Sequence, residues 1–238
     1  MSNWLNNIKV VLCRPEGDMN VGAVCRAMKT MGLSKLVLAA PSEMNTDKVK
    51  QMALHAFDIY ENAEFYSTLE EALEGTVFSA GITRRRGARR KWFSILPEEL
   101  AVKVSLIENG ISALVFGNEQ TGLTDNELNL CNTAVHIPSS PDFPSLNLSH
   151  AVQIITYTLY LQFLEGKTGG YIPVEREKID RLVTVVHNSL DSMNYFKAAD
   201  RFHTDRYFRD IFSRAMLSKK EADQMEKIFK KLQYIKDK

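Results

Sequence analysis

Over its first two thirds the chain alternates short apolar runs with segments of helical spacing, and this alternation constrains the fold more than any other feature. Ile8 to Cys13 is an apolar run, and Gly22 to Met31 then carries Val24, Ala27, Met28 and Met31 at helical spacing before Gly32. Leu36 to Ala39 reads as a second strand, closed by Pro41. Ser67-x-x-Glu70 and Thr68-x-x-Glu71 are alternative capping boxes for a short helix ending at Gly75, ahead of a strand from Val77 to Ile82. A less regular, charge-rich stretch leads to the continuous apolar strand Ile111 to Phe116. Thr124 then opens a helix, Ala134 to Ile137 is a further strand, and Leu146 to Leu164 is a long, largely apolar helix. Repeated β-α units with apolar strands predict an α/β protein: a mostly parallel sheet with helices on both faces.

The pattern changes after residue 165. Gly166 to Pro173 (G-K-T-G-G-Y-I-P) has the turn and breaker content of a linker. Ile179, Leu182, Val183, Val186 and Leu190 then mark one amphipathic helix, Tyr207, Phe208, Ile211 and Phe212 a second, and Ser218-x-x-Glu221 opens a third. The expected organisation is an α/β domain over 1 to 165, a linker over 166 to 175 and a small all-α C-terminal extension over 176 to 238. Three helices in about 65 residues are near the lower limit for folding alone, so the extension is expected to lean on something.

Several function classes are disfavoured. No apolar run approaches the roughly 20 residues that cross a bilayer, and Met1 to Asn7 lacks a signal pattern, so a cytoplasmic location without membrane contact is expected. Cys13, Cys25 and Cys131 lack CxxC spacing and read as buried thiols of a reducing compartment. Among the five histidines there is no HxxxH or HExxH pair, so no metal site is predicted.

A net charge of +1 says nothing about partners, but its distribution does. Residues 171 to 238 hold 15 Lys and Arg against 11 Asp and Glu, which makes the tail the basic part. Arg84, Arg85, Arg86, Arg89, Arg90 and Lys91 form a second block, six cations in eight positions, too dense in like charge to pack internally. The block, together with Arg201, Arg206, Arg209 and Arg214 of the tail, is a candidate polyanion surface; for the tail, a solvated charged face is the alternative.

Three constellations could carry chemistry. The first, Asn20-Val-Gly-Ala-Val-Cys-Arg26-Ala, follows the first strand at a helix start. Helical spacing puts Gly22 and Arg26 on one face, with Asn20 available as a cap, and a guanidinium in the first turns can hold a phosphate or carboxylate. A capped helix with a solvent-facing arginine fits the same residues. The second, Leu114-Val-Phe-Gly-Asn-Glu-Gln-Thr-Gly-Leu-Thr124, is a strand running into a two-glycine loop with a carboxylate, Glu119. Loops at strand ends are where open α/β sheets bind ligands, although a plain connection with Glu119 solvated would look alike. No Walker A or G-x-G-x-x-G pattern occurs. The third, Ile137-Pro-Ser-Ser-Pro-Asp-Phe-Pro-Ser-Leu-Asn-Leu-Ser149, is a proline-stiffened loop in which Ser145 or Asn147 can cap the following helix. Capping leaves unexplained why Ser145, Asn147 and Ser149 are presented together, an arrangement that suits a small polar ligand.

N-x-G-x-x-x-R-A, L-V-F-G-N-E-x-x-G-L and I-P-x(6)-S-L-N-L-S, in that order across some 165 residues, resemble the three signature motifs of the SpoU branch of the SPOUT RNA methyltransferases. The helical tail and R-A-M-K-T-M-G-L at Arg26 to Leu33 are similar to bacterial members that 2′-O-methylate nucleotide 32 of tRNA. The resemblance implies a C-terminal trefoil knot, a homodimer, a tRNA substrate and S-adenosylmethionine as methyl donor. It implies cofactor contacts from Gly81, Ile82, Thr83, Phe116, Gly117, Glu119, Ile137, Pro144, Ser145 and Leu146, and a reaction site of Arg26, Asn20, Ser145 and Asn147. Two alternatives stay open: the same chemistry on ribosomal RNA, and an RNA-binding protein that has kept this fold but lost catalysis.

Overall fold

The computed structural model describes residues 4–84, 94–166, 172–196 and 201–233. All six residues of β1 (Ile8–Cys13) are buried, as expected of a strand covered on both sides. The chain continues through α1 (Asp18–Thr30), β2 (Lys35–Ala39), α2 (Thr46–Ala53), α3 (Phe57–Glu61), β3 (Glu64–Tyr66) and α4 (Leu69–Ala72). Next come β4 (Thr76–Ile82), β5 (Ser94–Ile95), α5 (Pro97–Ser105), β6 (Ile111–Phe116), α6 (Asp125–Leu130), β7 (Thr133–Val135) and α7 (Leu148–Leu164). Three further helices close it: α8 (Arg176–Ser192), α9 (Arg201–Ala215) and α10 (Lys219–Gln233). By contact the chain divides into two units, Met1–Gly170 and Tyr171–Lys238.

The first unit is built on a seven-stranded sheet in the order β3-β2-β1-β6-β4-β7-β5, and every described strand pair is parallel. One face packs Val11, Val37, Val115 and Ala134 against Leu69 and Leu73 of the α4 segment and Leu128 of α6. Strand alternation sends Val10, Leu36, Leu38 and Leu114 to the other face, where they are equally buried. The helices α1, α2, α5 and α7 pack on one another, and Trp4 meets Phe163 of α7 edge to face at 6.1 Å.

Local chemistry explains the boundaries. Thr68 caps α4, accepting from the Glu71 amide while Glu71 reaches back to the Ser67 amide, so the second of the two candidate boxes is the one used. Gly75 follows at φ +67, in the left-handed region that suits glycine. The charge-rich stretch after β4 contains α5, which sequence spacing did not single out. Pro97 sits at its first turn, Glu99 accepts from the Leu96 amide, and Leu100, Ala101 and Val104 are buried. Helix α1 begins at Asp18, four residues before the Gly22 start read from spacing.

In the second unit, Ile179, Leu182, Val183 and Val186 of α8 bury against Phe212 of α9 and Ala222 of α10, with Phe208 and Phe229 edge to face at 6.0 Å. Lys178 joins Glu226 at 2.6 Å and Asp223 at 2.8 Å, tying α8 to α10. The Val174 amide donates to the Leu217 carbonyl at 2.8 Å and Pro173 bridges Ser218, so these two residues of the stretch read as linker pair within the helical unit.

Candidate functional site

Parallel pairing puts the C-terminal ends of four strands in one row. Leu12, Phe116, Ile82 and Val135 are register partners across β1, β6, β4 and β7. The segments that leave these ends therefore emerge at the same edge of the sheet, where open α/β proteins hold their ligands. A cleft opens there, lined by Ile82 to Arg84, Phe116 to Leu123, Ile137, Pro144 to Leu146, Leu148 and Ala151. Nine of the ten residues assigned by resemblance to cofactor contact meet around it. Gly81 does not: a Cβ there would lie 2.6 Å from Leu128 Cδ1 and 3.1 Å from Cys131 Sγ, so its glycine serves close packing under α6.

The second motif forms a closed turn. The Asn118 Oδ1 accepts from the amides of Gln120 and Thr121, at 2.9 and 3.1 Å, while the Gly122 amide returns to the Asn118 carbonyl at 2.8 Å. A Cβ on Gly117 would sit 2.2 Å from Gly122 C and Leu123 N, which only glycine avoids. Gly122 has φ +66.

Glu119 is not simply solvated. Its carboxylate accepts from the amides of Glu16 and Gly17, at 3.2 and 3.1 Å, and from Asn20 Nδ2 at 3.2 Å. Gly17 is the N-cap of α1 and offers no side chain, so a carboxylate from the far end of β6 serves that helix start, where negative charge is favoured. This corrects the reading of Asn20 as a cap. It lies inside α1, and its Oδ1 accepts from Asn147 Nδ2 at 3.0 Å. Asn147 in turn caps α7, accepting from the Ser149 amide at 2.9 Å and the Ser149 hydroxyl at 2.8 Å. A hydrogen-bonded chain Glu119–Asn20–Asn147 thus joins all three motifs.

The arginine of the first motif stands apart. Gly22 is buried, its would-be Cβ 2.5 Å from the Val49 carbonyl oxygen, and so lets α1 press on α2. Arg26 is exposed and has no hydrogen bond or ion pair among the described residues. It does not line the cleft. Ser145 does, with an exposed side chain.

Sequence reasoning missed Arg14 and Glu127. Arg14, at φ +52, gives Nε to Glu127 Oε1 at 2.6 Å and Nη2 to Oε2 at 3.0 Å, and also donates to the Gly122 carbonyl at 3.1 Å. Asn118 Nδ2 donates back to the Arg14 carbonyl at 2.9 Å. Glu127 also completes the Thr124 capping box. Burial raises the Glu127 pKa, but the Arg14 guanidinium, the Thr124 amide and the Cys13 thiol outweigh it and hold the carboxyl at about 2. The Cys13 thiol is pushed up to about 12 by burial and by that carboxylate. The box Thr124-x-x-Glu127 was legible; its partner 113 residues away leaves no local pattern.

Of the cationic block, Arg84 is exposed and lines the cleft, while Arg85, Arg86, Arg89, Arg90 and Lys91 lie outside the described residues. The tail arginines face carboxylates of their own unit. Arg209 pairs with Asp180 at 2.8 Å, Arg206 with Asp210 at 4.0 Å, and Arg201 with Asp191 while lying over the Phe196 ring. Among the described residues, no three His, Cys, Asp or Glu converge as a metal site, and no helix is long and apolar enough to cross a membrane.

A parallel α/β domain whose strand-end loops converge on one cleft, followed by a helical unit, has recognisable relatives. The model of the SpoU rRNA methylase family matches residues 7–157, and the chain belongs to that family. It is 33% identical to the tRNA (cytidine/uridine-2′-O-)-methyltransferase TrmJ of Pectobacterium atrosepticum, over 98% of this chain and 99% of that one. To the tRNA (cytidine/uridine/adenosine-2′-O-)-methyltransferase TrmJ of Pseudomonas aeruginosa it is 35% identical, over 97% and 95%. The crystal structure of TrmJ from Z. mobilis ZM4 superposes with a TM-score of 0.73 at 26% identity, covering 94% of this chain and 98% of that one.

Proposed function

We propose that this protein transfers a methyl group from S-adenosylmethionine to a ribose 2′-oxygen of tRNA, at nucleotide 32 of the anticodon loop. The observation that carries the reading is the meeting of the three motifs: two line one cleft, and the Glu119–Asn20–Asn147 chain ties the first to both. Family membership and the near full-length likeness to 2′-O-methyltransferases acting on tRNA support the reaction and its substrate.

The cleft fits the donor. Ile82, Phe116, Ile137, Leu146 and Leu148 offer apolar walls, Thr83, Glu119, Thr121 and Ser145 offer polar groups, and Gly117 keeps the loop backbone close. S-adenosylmethionine supplies an already activated methyl group, so the protein's task is to orient the acceptor and handle its proton. A guanidinium is not a general base near neutral pH, so the role proposed for Arg26 is electrostatic. Its free guanidinium suits an RNA phosphate and the oxyanion that develops beside it, with the proton leaving through phosphate, Ser145 or water.

The reading also includes the trefoil knot in the C-terminal part of the sheet, a cytoplasmic location, which three buried free thiols suit, and a homodimer. Ile154, Tyr157, Leu161 and Leu164 leave an exposed apolar stripe along α7 at helical spacing, the kind of surface a second copy covers. In this reading the chain divides into a methyltransferase domain over 1 to 165, a linker over 166 to 175 and a helical extension over 176 to 238, although Pro173 and Val174 already pair within the helical unit. For RNA, the cations from Arg84 to Lys91 are the primary contacts. Arg206 and Arg209 are secondary ones, because their carboxylate partners already offset their charge.

The test is direct: incubate purified protein with S-adenosylmethionine and tRNA, digest, and map methylated nucleotides by mass spectrometry. A 2′-O-methyl group at nucleotide 32 is expected. Measured cofactor binding without methyl transfer to any tRNA would leave a non-catalytic RNA-binding protein, and transfer only to ribosomal RNA would overturn the substrate.

A further inference from the structure

The 138–147 loop holds a large apolar ring in water. Phe143 is 80% exposed, and the loop around it is stiffened by Pro138, Pro141 and Pro144. The Ser139 hydroxyl donates to the Pro144 carbonyl at 3.2 Å, and the Asp142 amide donates to Ser140 Oγ at 3.3 Å. The ring is therefore carried on a braced support. Leaving such a surface in solvent is unfavourable, and it is regained when something flat covers the ring.

Position says what that something is. Pro144 and Ser145, the next two residues, line the cleft, and exposed Arg84 lines the same cleft from the end of β4. Leu146, also exposed, lines it too and precedes Asn147, whose side chain bonds Asn20. A sugar hydroxyl reaching this cleft arrives on a nucleotide whose base must lie beyond the rim, and a base pulled out of a loop has lost its stacking neighbours.

We infer that Phe143 is a stacking platform for an unpaired nucleobase of the RNA substrate at or beside the methylated nucleotide. The inference rests on the proposed function and deepens it. An aromatic side chain loses little conformational freedom when it is covered, and stacking uses the face that every base has. Phe143 accordingly contributes affinity for single-stranded loop bases without choosing among them.

The experiment uses the full-length chain with Phe143→Ala, Phe143→Leu and Phe143→Trp, a tRNA anticodon stem-loop, and the same stem-loop with 2-aminopurine beside the methylated position. Phe143→Ala and Phe143→Leu should each lower kcat/KM for the RNA about ten-fold or more and abolish quenching of 2-aminopurine. Phe143→Trp should restore both, with S-adenosylmethionine affinity by calorimetry and the sedimentation coefficient unchanged throughout. Wild-type activity in Phe143→Ala, full rescue by Phe143→Leu, or a changed oligomeric state in Phe143→Ala would each overturn the stacking role, the last assigning the ring to a contact between copies. Failure of the wild-type chain to bind S-adenosylmethionine would overturn the underlying reading itself, a result distinct from all of these.

Discussion

The strand-end cleft and the helical unit use charge in opposite ways. At the cleft, polar side chains reach across a hundred residues to fix loops: Glu119 serves the start of α1, and Glu127 grips Arg14. Arg84 lines this cleft and Arg26 stands outside it on α1; both are exposed, and Arg26 has no partner among the described residues. In the helical unit the sequence shows a basic excess, yet Arg201, Arg206 and Arg209 each face a carboxylate of the same unit. A count of cations is therefore not a binding surface; what matters is which of them are already paired.

The sharpest way to break this contrast is to remove one cation from each region. Arg26→Ala should lower kcat about 100-fold with cofactor affinity intact, whereas Arg209→Ala should change kcat by less than about two-fold. Steady-state kinetics with separate cofactor titrations decide it, and equal losses would erase the distinction. Salt dependence sharpens it further. Neutralising Arg84, Arg85 and Arg86 to Gln should reduce the slope of log affinity against log salt by about two to three, while Arg206→Gln with Arg209→Gln should reduce it by less than about one. Filter binding between low and physiological salt measures both.

The internal clamps give smaller effects. Arg14→Ala strips Glu127 of its ion-pair partner, leaving it the Thr124 amide and the Cys13 thiol, so urea unfolding should show a loss of about 1–2 kcal/mol, less than for a fully buried pair because Arg14 is about one-third exposed. The same variant should raise the KM for S-adenosylmethionine more than it lowers kcat, because the 117–122 loop loses its outer brace. The smallest effect is on pH. Glu127 and Glu226 are both held at about 2, the latter by Lys178 and Lys230. Depressed carboxyls contribute their stability in full above the ordinary value of 4.5, and it is lost as pH falls towards 2. The melting temperature should fall over that window, and Glu127→Gln should flatten the fall.

Periodicity carries local information, and the elements it governs were legible. β1 and β6 match their sequence bounds, and Thr124, Thr68 and Asn147 act as caps from positions where their residue types predict it. α2 and α5 escaped because they are short and sit in charge-rich surroundings, although Pro97 and Glu99 carried a start signal. At the site, the motifs fixed which loops to watch but not how they bond. Asn20 looked like a cap by its type, whereas Glu119, 102 residues from Gly17, holds that helix start. No spacing rule encodes such a partnership; it exists only once the sheet has placed the ends of β1 and β6 side by side.

Main chain forms part of this cleft's wall, where the 117–122 loop closes on itself. Since Gly117 touches the Gly122–Leu123 peptide with no room for even a methyl group, single amino-acid exchanges there can only damage the wall, never reshape it. Variation in such a scaffold therefore has to come from side chains that stand clear of that turn, Arg84 and Phe143 among them, leaving the backbone there a fixed floor.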